Sequence, residues 1–223
     1  MKKSPSSTPV NQDEPWKRSR YRGDFSPFPY TVRDRTPLGR YVIERAFLNT
    51  PQGPSPYSVV RCQPCVCVLV AVGQRVLLAR QYRYAVDSWQ DELVAGGIEK
   101  GETPREAALR ELREETGFRL DASLPNGRGS TDGIEVLSLG SFFPSGGSSD
   151  EIMYLVAVRL PEGALPGTTN FDRGERVQRV LLTRPELEAR MLEGSLTHSA
   201  IDVAWERMRL RSLLDIWFGP VEA

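Results

Sequence analysis

The sequence has a single histidine, three cysteines, no excess of either charge and no long apolar run. Its 29 basic and 29 acidic residues give a formal net charge of zero, which argues against broad nucleic-acid binding. No run of about 18 apolar residues occurs, so we expect no membrane span. The first residues, MKKSPSSTPVNQDEP, contain no apolar stretch after the lysines. We therefore expect no signal peptide and a cytoplasmic location.

The cysteines and the histidine give weak signals. Cys62, Cys65 and Cys67 form C-x-x-C-x-C, but zinc usually needs four ligands and His198 lies more than a hundred residues away. Because CVCVLVAV is typical of a strand, we interpret Cys65 and Cys67 as small buried hydrophobes on one face. A metal or redox site is the alternative. For His198 we favour a capping or surface position beside a helix start over a catalytic one.

The first part of the chain predicts a tail followed by strands. Residues 1–24 are polar and lack a hydrophobic period, which predicts a disordered tail. We assign residues 25–62 to an N-terminal β region, with strands at 41–49 and 57–62. Two further strands, CVCVLVAV and RVLLARQYR, form a hairpin around Gly73-Gln74.

The remainder mixes helices and strands without regular alternation. Thr103 and Glu106 form a capping box, and Pro104 and Gly117 mark the start and stop of a helix. Further strands are predicted at 134–143, 152–160 and from about 176, and further helices at 183–192 and 199–217. This order predicts an α+β sandwich.

That first helix ends in an unusual concentration of negative charge, ELREETGF. Glu111, Glu114 and Glu115 project within an arc of about 100°, where like charges repel. The helix dipole also disfavours anions in the last turn. A divalent cation would offset both effects, since carboxylates and water are ligands that magnesium prefers. The alternative is a solvated helix face.

The whole stretch GGIEKGETPREAALRELREETGF resembles the catalytic box of the Nudix hydrolases. The box is a glycine, five residues, a glutamate, seven residues and then R-E-U-x-E-E-x-G-U, where U is aliphatic or aromatic. Its fixed positions are filled by Gly96, Glu102, Arg110, Glu111, Leu112, Glu114, Glu115, Gly117 and Phe118. The resemblance implies a Mg²⁺- or Mn²⁺-dependent pyrophosphohydrolase. It also implies a Nudix α/β/α sandwich with a mixed sheet at 63–218, preceded by a small antiparallel β domain.

The resemblance also implies roles for residues of the box. Glu111, Glu114 and Glu115 would hold the metal, together with the carbonyl of Ala95, the residue before the box glycine. Arg110 would act with Glu114 in catalysis. Arg110 and Glu102 would also orient the carboxylates.

The segments on either side of the box are similar to those of ADP-ribose and nucleoside-diphosphate-sugar pyrophosphatases. Upstream, ARQYRYAVDSWQDELVAGGIE matches their R-Q-Y-R, glutamate and A-G pattern. The resemblance implies that Arg80, Arg83, Glu92 and Gly96 bind substrate, and arginine suits a diphosphate. Tyr82 would pack on a base or support the sheet.

Downstream, FFPSGGSSDEIMYLVAV is similar to a loop of the same subfamily. Ser145 and Gly147 would bind substrate, whereas Gly146 replaces the subfamily's proline. Glu151 would activate water or bind a further metal, approaching when substrate closes the site. The alternative is that Asp150 and Glu151 are ordinary polar loop residues.

These features together predict hydrolysis of ADP-ribose or a related nucleoside diphosphate sugar by a homodimer. Relatives exchange N-terminal elements, and the partner contributes to the base pocket. The aromatic that would stack on the base is not assigned among Tyr30, Tyr41, Phe47 and Tyr57. The alternatives are another Nudix specificity, such as GDP-mannose, coenzyme A or a dinucleoside polyphosphate, and a non-catalytic ADP-ribose sensor.

Overall fold

The computed structural model describes residues 28–118, 134–164, 166–170 and 177–220. The predicted tail at 1–24 lies outside these residues. The described chain forms two β-sheets and four α-helices. No helix within these ranges combines the length and apolar character needed to cross a bilayer.

The first sheet is antiparallel, with three strands in the order β1 (Tyr30–Leu38), β2 (Tyr41–Thr50) and β3 (Gly53–Arg61). Strand β1 was not predicted, because most side chains of YTVRDRTPL are exposed and their pattern carries little hydrophobic alternation. Strand β3 begins within the predicted turn PQGPSP. Its prolines are tolerated because β3 is an edge strand of this sheet.

The second sheet has seven strands and is mixed. Its main path runs β10-β5-β4-β9-β8, with β6 paired to β5 and β7 paired to β4. Strands β4 and β9 are parallel, whereas the other pairs are antiparallel. The strand bounds are β4 Cys65–Val72, β5 Arg75–Arg83, β6 Ser88–Glu92, β7 Val94–Gly97, β8 Glu135–Phe142, β9 Met153–Leu160 and β10 Gln178–Thr183. Strands β6 and β7 were missed because they are short and aperiodic.

Strand β4 lies at the centre of the fold and is buried on both faces. Its odd-numbered residues Cys67, Leu69 and Ala71 pack in one core, and its even-numbered valines pack in the other. A strand covered on both faces reads as a continuous apolar run, which explains CVCVLVAV. The predicted interior position of Cys67 is confirmed, whereas Cys65 is only half-buried.

Helix α1 (Pro104–Thr116) covers the even face of β4. Thr103 Oγ1 accepts from Glu106 N at 3.3 Å and Thr103 N donates to Glu106 Oε2 at 2.8 Å, which confirms the predicted capping box. The helix ends at Gly117, whose φ of 76° is left-handed. Ala107, Ala108 and Leu112 are fully buried, so the helix is fixed against the sheet.

The other face is covered by α2 (Arg184–Leu192), α3 (Ser199–Leu210) and α4 (Leu214–Phe218). The single helix predicted at 199–217 is wrong: Ser212 adopts a φ of 57° and breaks it. The break turns α4 back so that the ring of Phe218 lies 5.0 Å from that of Trp205. Helices on both faces of a mixed sheet confirm the predicted α+β, α/β/α sandwich with an additional N-terminal antiparallel sheet.

Candidate active site

Five acidic or carbonyl groups predicted for the site lie around one cavity of about 260 Å³, the carboxylate cavity. They come from β7, the end of α1 and the loop before β9, namely Ala95, Glu111, Glu114, Glu115 and Glu151. Gly96, Arg83 and Arg110 also line it. The remaining lining residues are Arg40, Tyr41, Cys62, Gln63, Cys65, Cys67, Gln81, Gly97, Met153, Asn170 and His198.

Arg110 joins three glutamates of the box. Its Nε and Nη2 donate to the two carboxylate oxygens of Glu102 at 2.9 Å each, and Nη2 also donates to Gly97 O at 2.7 Å. Its Nη1 donates to Glu111 at 2.6 Å and to Glu114 at 3.2 Å. The hydrogen bond from Arg110 lowers the pKa of Glu102 and, in return, raises the pKa of Arg110. One guanidinium therefore offsets part of the charge repulsion at the end of α1.

Gly96 is needed because the Glu111 carboxylate lies directly on its backbone. A Cβ built on Gly96 would stand 1.9 Å from Glu111 Oε1 and 2.0 Å from Cδ. The backbone of Gly96 is fixed by the pairing of β7 with β4. In this pairing Ala95 lies opposite Cys67 and Gly96 lies opposite Val66. The close approach places the carboxylate beside the backbone of β7, which bears the Ala95 carbonyl.

The chemistry of this donor set fits a divalent cation. Carboxylates with a backbone carbonyl supply the hard oxygen ligands that Mg²⁺ and Mn²⁺ take. Within the described ranges no three carboxylate, imidazole or thiol groups already stand at coordinating geometry. The hydrogen bond from Arg110 to Glu111 orients that carboxylate in this structure.

The two arginines of RQYR lie on opposite faces of β5. Arg83 lines the carboxylate cavity. Its guanidinium makes bidentate hydrogen bonds to the Glu92 carboxylate, from Nε at 2.8 Å and from Nη2 at 2.6 Å. Arg80 instead lines a separate cavity of about 580 Å³ and pairs with Asp91 at 2.6 and 2.8 Å. Asp91 also accepts from Arg190 at 2.7 Å. The structure therefore does not bring Arg80 to the carboxylates.

The loop between β8 and β9 contributes only one of its predicted residues to the cavity. Glu151 lines it, whereas Ser145 and Gly147 do not. Ser145 shares a hydrogen bond of 2.7 Å with Ser148 through their hydroxyls. Gly147 O accepts from the Tyr57 hydroxyl at 2.7 Å. Both residues therefore shape the loop in this structure.

His198 was given no catalytic role from the sequence, yet it lines the cavity. Its Nδ1 accepts from Leu93 N at 3.3 Å, which places the proton of the neutral ring on Nε2. Burial lowers the pKa of His198, with Glu92 opposing that shift and Arg83 adding to it. No local signal could have placed it, because it reaches the site from the start of α3.

Two residues of the N-terminal sheet also reach the cavity. Arg40 and Tyr41 extend from the β1–β2 turn, and the Arg40 guanidinium lies 5.0 Å from the Tyr41 ring centroid. Of the four aromatic candidates for a base contact, the structure places Tyr41 in the lining. Tyr57 instead contacts the loop, and Tyr30 is exposed.

Comparison with known proteins agrees with this fold. A family model described as NUDIX domain matches residues 62–197. A methanol dehydrogenase activator of Bacillus methanolicus is 30% identical over 162 residues, 72% of this chain and 80% of that protein. An ADP-ribose pyrophosphatase of Bacillus subtilis (strain 168) is 29% identical over 102 residues, 45% of this chain and 48% of that protein.

Among solved structures, the crystal structure of an ADP compounds hydrolase superposes with a TM-score of 0.63. The superposition covers 85% of this chain and 99% of that one at 20% sequence identity, so it shows a shared fold. The family model spans more than half of the chain and includes the entire glutamate-rich box. This chain therefore belongs to the NUDIX domain family, as a pyrophosphohydrolase whose relatives generally use divalent metal ions.

Proposed function

We propose that the protein hydrolyses the diphosphate linkage of ADP-ribose or a related nucleoside diphosphate sugar. The products would be a nucleoside monophosphate and a sugar phosphate, which for ADP-ribose are AMP and ribose 5-phosphate. The observation that carries the proposal is the convergence of Glu111, Glu115 and Glu151 with Arg83 on one cavity. Carboxylates and a guanidinium on one cavity suit a cation-bound diphosphate.

Glu111, Glu114, Glu115 and the Ala95 carbonyl would hold one or more Mg²⁺ or Mn²⁺ ions. The ion would neutralise the diphosphate and lower the pKa of the attacking water. Arg110 and Glu102 would keep the carboxylates oriented through the hydrogen bonds described above. Gly96 would contribute by letting Glu111 approach the backbone.

Glu151 is our candidate for the base. Its carboxylate would accept the proton of water as the water oxygen attacks one phosphorus, and the bridging oxygen would leave with the other phosphate.

Arg83, oriented by Glu92, would bind a diphosphate oxygen. Tyr41 and Arg40 line the same cavity and would contact the base or sugar. For Arg80, Ser145 and Gly147 a substrate contact would require a change from the placement seen here.

We also propose that the chain forms a homodimer through the N-terminal sheet, with residues 25–62 as the dimerisation region and 63–218 as the Nudix unit. Support comes from β1, an edge strand on which Tyr30 and Leu38 each expose 63% of their surface. Analytical ultracentrifugation of the full chain tests this, since a monomer at micromolar concentration would contradict it.

A substrate panel tests the proposed activity. It comprises ADP-ribose, UDP-glucose, GDP-mannose, NADH, coenzyme A and a dinucleoside polyphosphate, each assayed with Mg²⁺ and again with EDTA. We expect the highest kcat/KM with ADP-ribose and loss of turnover in EDTA. A preference for coenzyme A, GDP-mannose or a dinucleoside polyphosphate would favour another Nudix specificity. Binding of ADP-ribose without any product would favour a sensor.

A further inference from the structure

The loop that carries Glu151 docks on the N-terminal sheet through its backbone. Val60 N donates to Ser148 O at 2.9 Å, and Asp150 N donates to Val60 O at 3.2 Å. Val60 and Ser149 form a parallel bridge, so the loop runs along the edge of β3 like a short extra strand. The N-terminal sheet therefore contacts the segment next to Glu151 directly.

A charged contact reinforces this docking one residue before Glu151. Arg61, the last residue of β3, donates from Nη1 to Asp150 Oδ2 at 3.2 Å. The other oxygen of Asp150 accepts from Cys62 N at 2.8 Å. Both oxygens of Asp150 are thus held by the end of β3, while Glu151 beside it lines the carboxylate cavity.

Arg61 is itself anchored by a buried carboxylate. Its Nη2 donates to Glu44 Oε1 at 2.5 Å, and Arg35 Nε donates to Glu44 Oε2 at 2.6 Å. Only 3% of the Glu44 side chain is exposed. The hydrogen bond from Arg61 lowers the pKa of Glu44 against the opposing effect of burial, so the group is charged at neutral pH. A buried charge needs its partners, and this requirement fixes the Arg61 guanidinium.

We propose that Arg61 is a positioning residue for the hydrolysis: anchored by Glu44, it holds Asp150 and thereby sets Glu151 at the carboxylate cavity. The role of Arg61 rests on the function proposed for Glu151. The Arg61–Asp150 pair is itself exposed, at 38% and 42% of the two side chains, so it adds little to global stability. Its consequence is local: displacing a catalytic group by about 1 Å can lower the rate about 100-fold.

Asp150→Asn is the most selective variant, because it removes the charge attraction to Arg61 and keeps a side-chain oxygen that can accept from Cys62 N. It also leaves the Glu44–Arg61 pair intact. Arg61→Met removes both contacts of the guanidinium. Arg45→Met is the matched control, since Arg45 makes an exposed 2.8 Å pair with Asp34 on the same sheet, away from the loop. We expect kcat to fall about tenfold in the first two variants, KM to change less than about twofold, and Arg45→Met to match wild type.

A second readout does not depend on turnover. Hydrogen exchange of the peptide covering 143–151 should be faster in Asp150→Asn and Arg61→Met than in wild type, and unchanged in Arg45→Met. Arg61→Lys, which keeps the charge without the planar fork, should restore part of kcat and of the protection. Unchanged exchange together with unchanged kcat in both loop variants would overturn the positioning role.

A double-mutant cycle separates this role from the proposed function. If Arg61 acts through Glu151, Arg61→Met should lower kcat about tenfold in wild type but less than about twofold in Glu151→Gln. Equal losses in both backgrounds would refute the positioning role and leave the base intact. Full activity of Glu151→Gln alone would refute the base assignment, and with it the positioning of Glu151.

Discussion

The carboxylate of Glu111 lies so close to the backbone of Gly96 that no methyl group would fit between them. The hypothetical Cβ lies 1.9 Å from Oε1 and 2.5 Å from Oε2. This contact places the carboxylate of α1 against the strand that bears the Ala95 carbonyl. The glycine of the box is thus required by space rather than by backbone conformation.

Gly96→Ala should therefore inactivate the enzyme without unfolding it. The Glu111 carboxylate would have to move by more than about 1 Å, which predicts a loss of about 100-fold or more in kcat. Steady-state kinetics, with circular dichroism to verify folding, measures the effect. Gly97→Ala is the matched comparison, because its Cβ would meet only the Gln63 amide at 3.5 Å. A comparable loss in both variants would contradict the steric explanation.

A divalent cation should stabilise the fold through the end of α1. Mg²⁺ at about 100 times its Kd would add about 2.7 kcal/mol, which for a chain of this size predicts a rise in Tm of about 5–10 °C. Glu115→Gln should shrink that rise and lower kcat, whereas Glu193→Gln, at the exposed end of α2, should change neither. Differential scanning fluorimetry in EDTA and in Mg²⁺ measures the rise in Tm for each variant. An identical Mg²⁺-induced shift in Glu115→Gln would remove that residue from the proposed ligand set.

The box was predictable because it is one continuous segment. Gly96, Glu102 and Arg110 lie on a strand, a turn and a helix that follow one another along the chain. The residues that cap the helix can be recognised in the sequence. The opposite orientations of Arg80 and Arg83 could also have been predicted, since side chains separated by three positions in a strand point to opposite faces. The substrate contacts predicted for the two arginines came from reading RQYR as one unit, whereas the structure places them at different cavities.

Contacts between distant segments were not predictable. His198 and Arg40 reach the cavity from α3 and from the β1–β2 turn, and no local pattern specifies those approaches. Strand β1 likewise lacked an apolar alternation because most of its side chains are exposed. The break between α3 and α4 depends on packing of Trp217 and Phe218 against the core, which overrides a continuous amphipathic pattern.

The only imidazole should make stability depend on pH below neutrality. Burial lowers the pKa of His198 from its usual 6.5, so between the folded and unfolded values the unfolded chain binds more protons. Stability should therefore fall as pH drops below about 6.5 and stay level above it. His198→Gln should lose this dependence, as measured by urea unfolding at about pH 7.5 and about pH 5.5. An NMR titration of wild type showing a pKa above 6.5 would contradict the assigned cause.

Two glycines with the same backbone requirement should differ in how costly they are to replace. Gly101 has a φ of 88° and open space around it, whereas Gly117 has a φ of 76° and a Cβ there would lie 2.4 Å from Gly167 O. Gly101→Ala should cost about 1 kcal/mol of unfolding free energy from strain alone. Gly117→Ala should cost about 1–2 kcal/mol more, because Gly167 must withdraw and its 2.8 Å bond to Gly117 O is lost.

The shift of Gly167 in Gly117→Ala should also affect the active site. Asn170 N donates to Glu114 O at 2.8 Å, and Asn170 lines the carboxylate cavity, so moving the segment 166–170 disturbs the last turn of α1. We therefore expect Gly117→Ala to lower kcat as well as stability, and Gly101→Ala to lower stability alone. Urea unfolding and steady-state kinetics on the two variants separate these effects. Equal stability losses would mean that Gly167 yields freely, and unchanged kcat in Gly117→Ala would mean that Asn170 and Glu114 are not coupled to it.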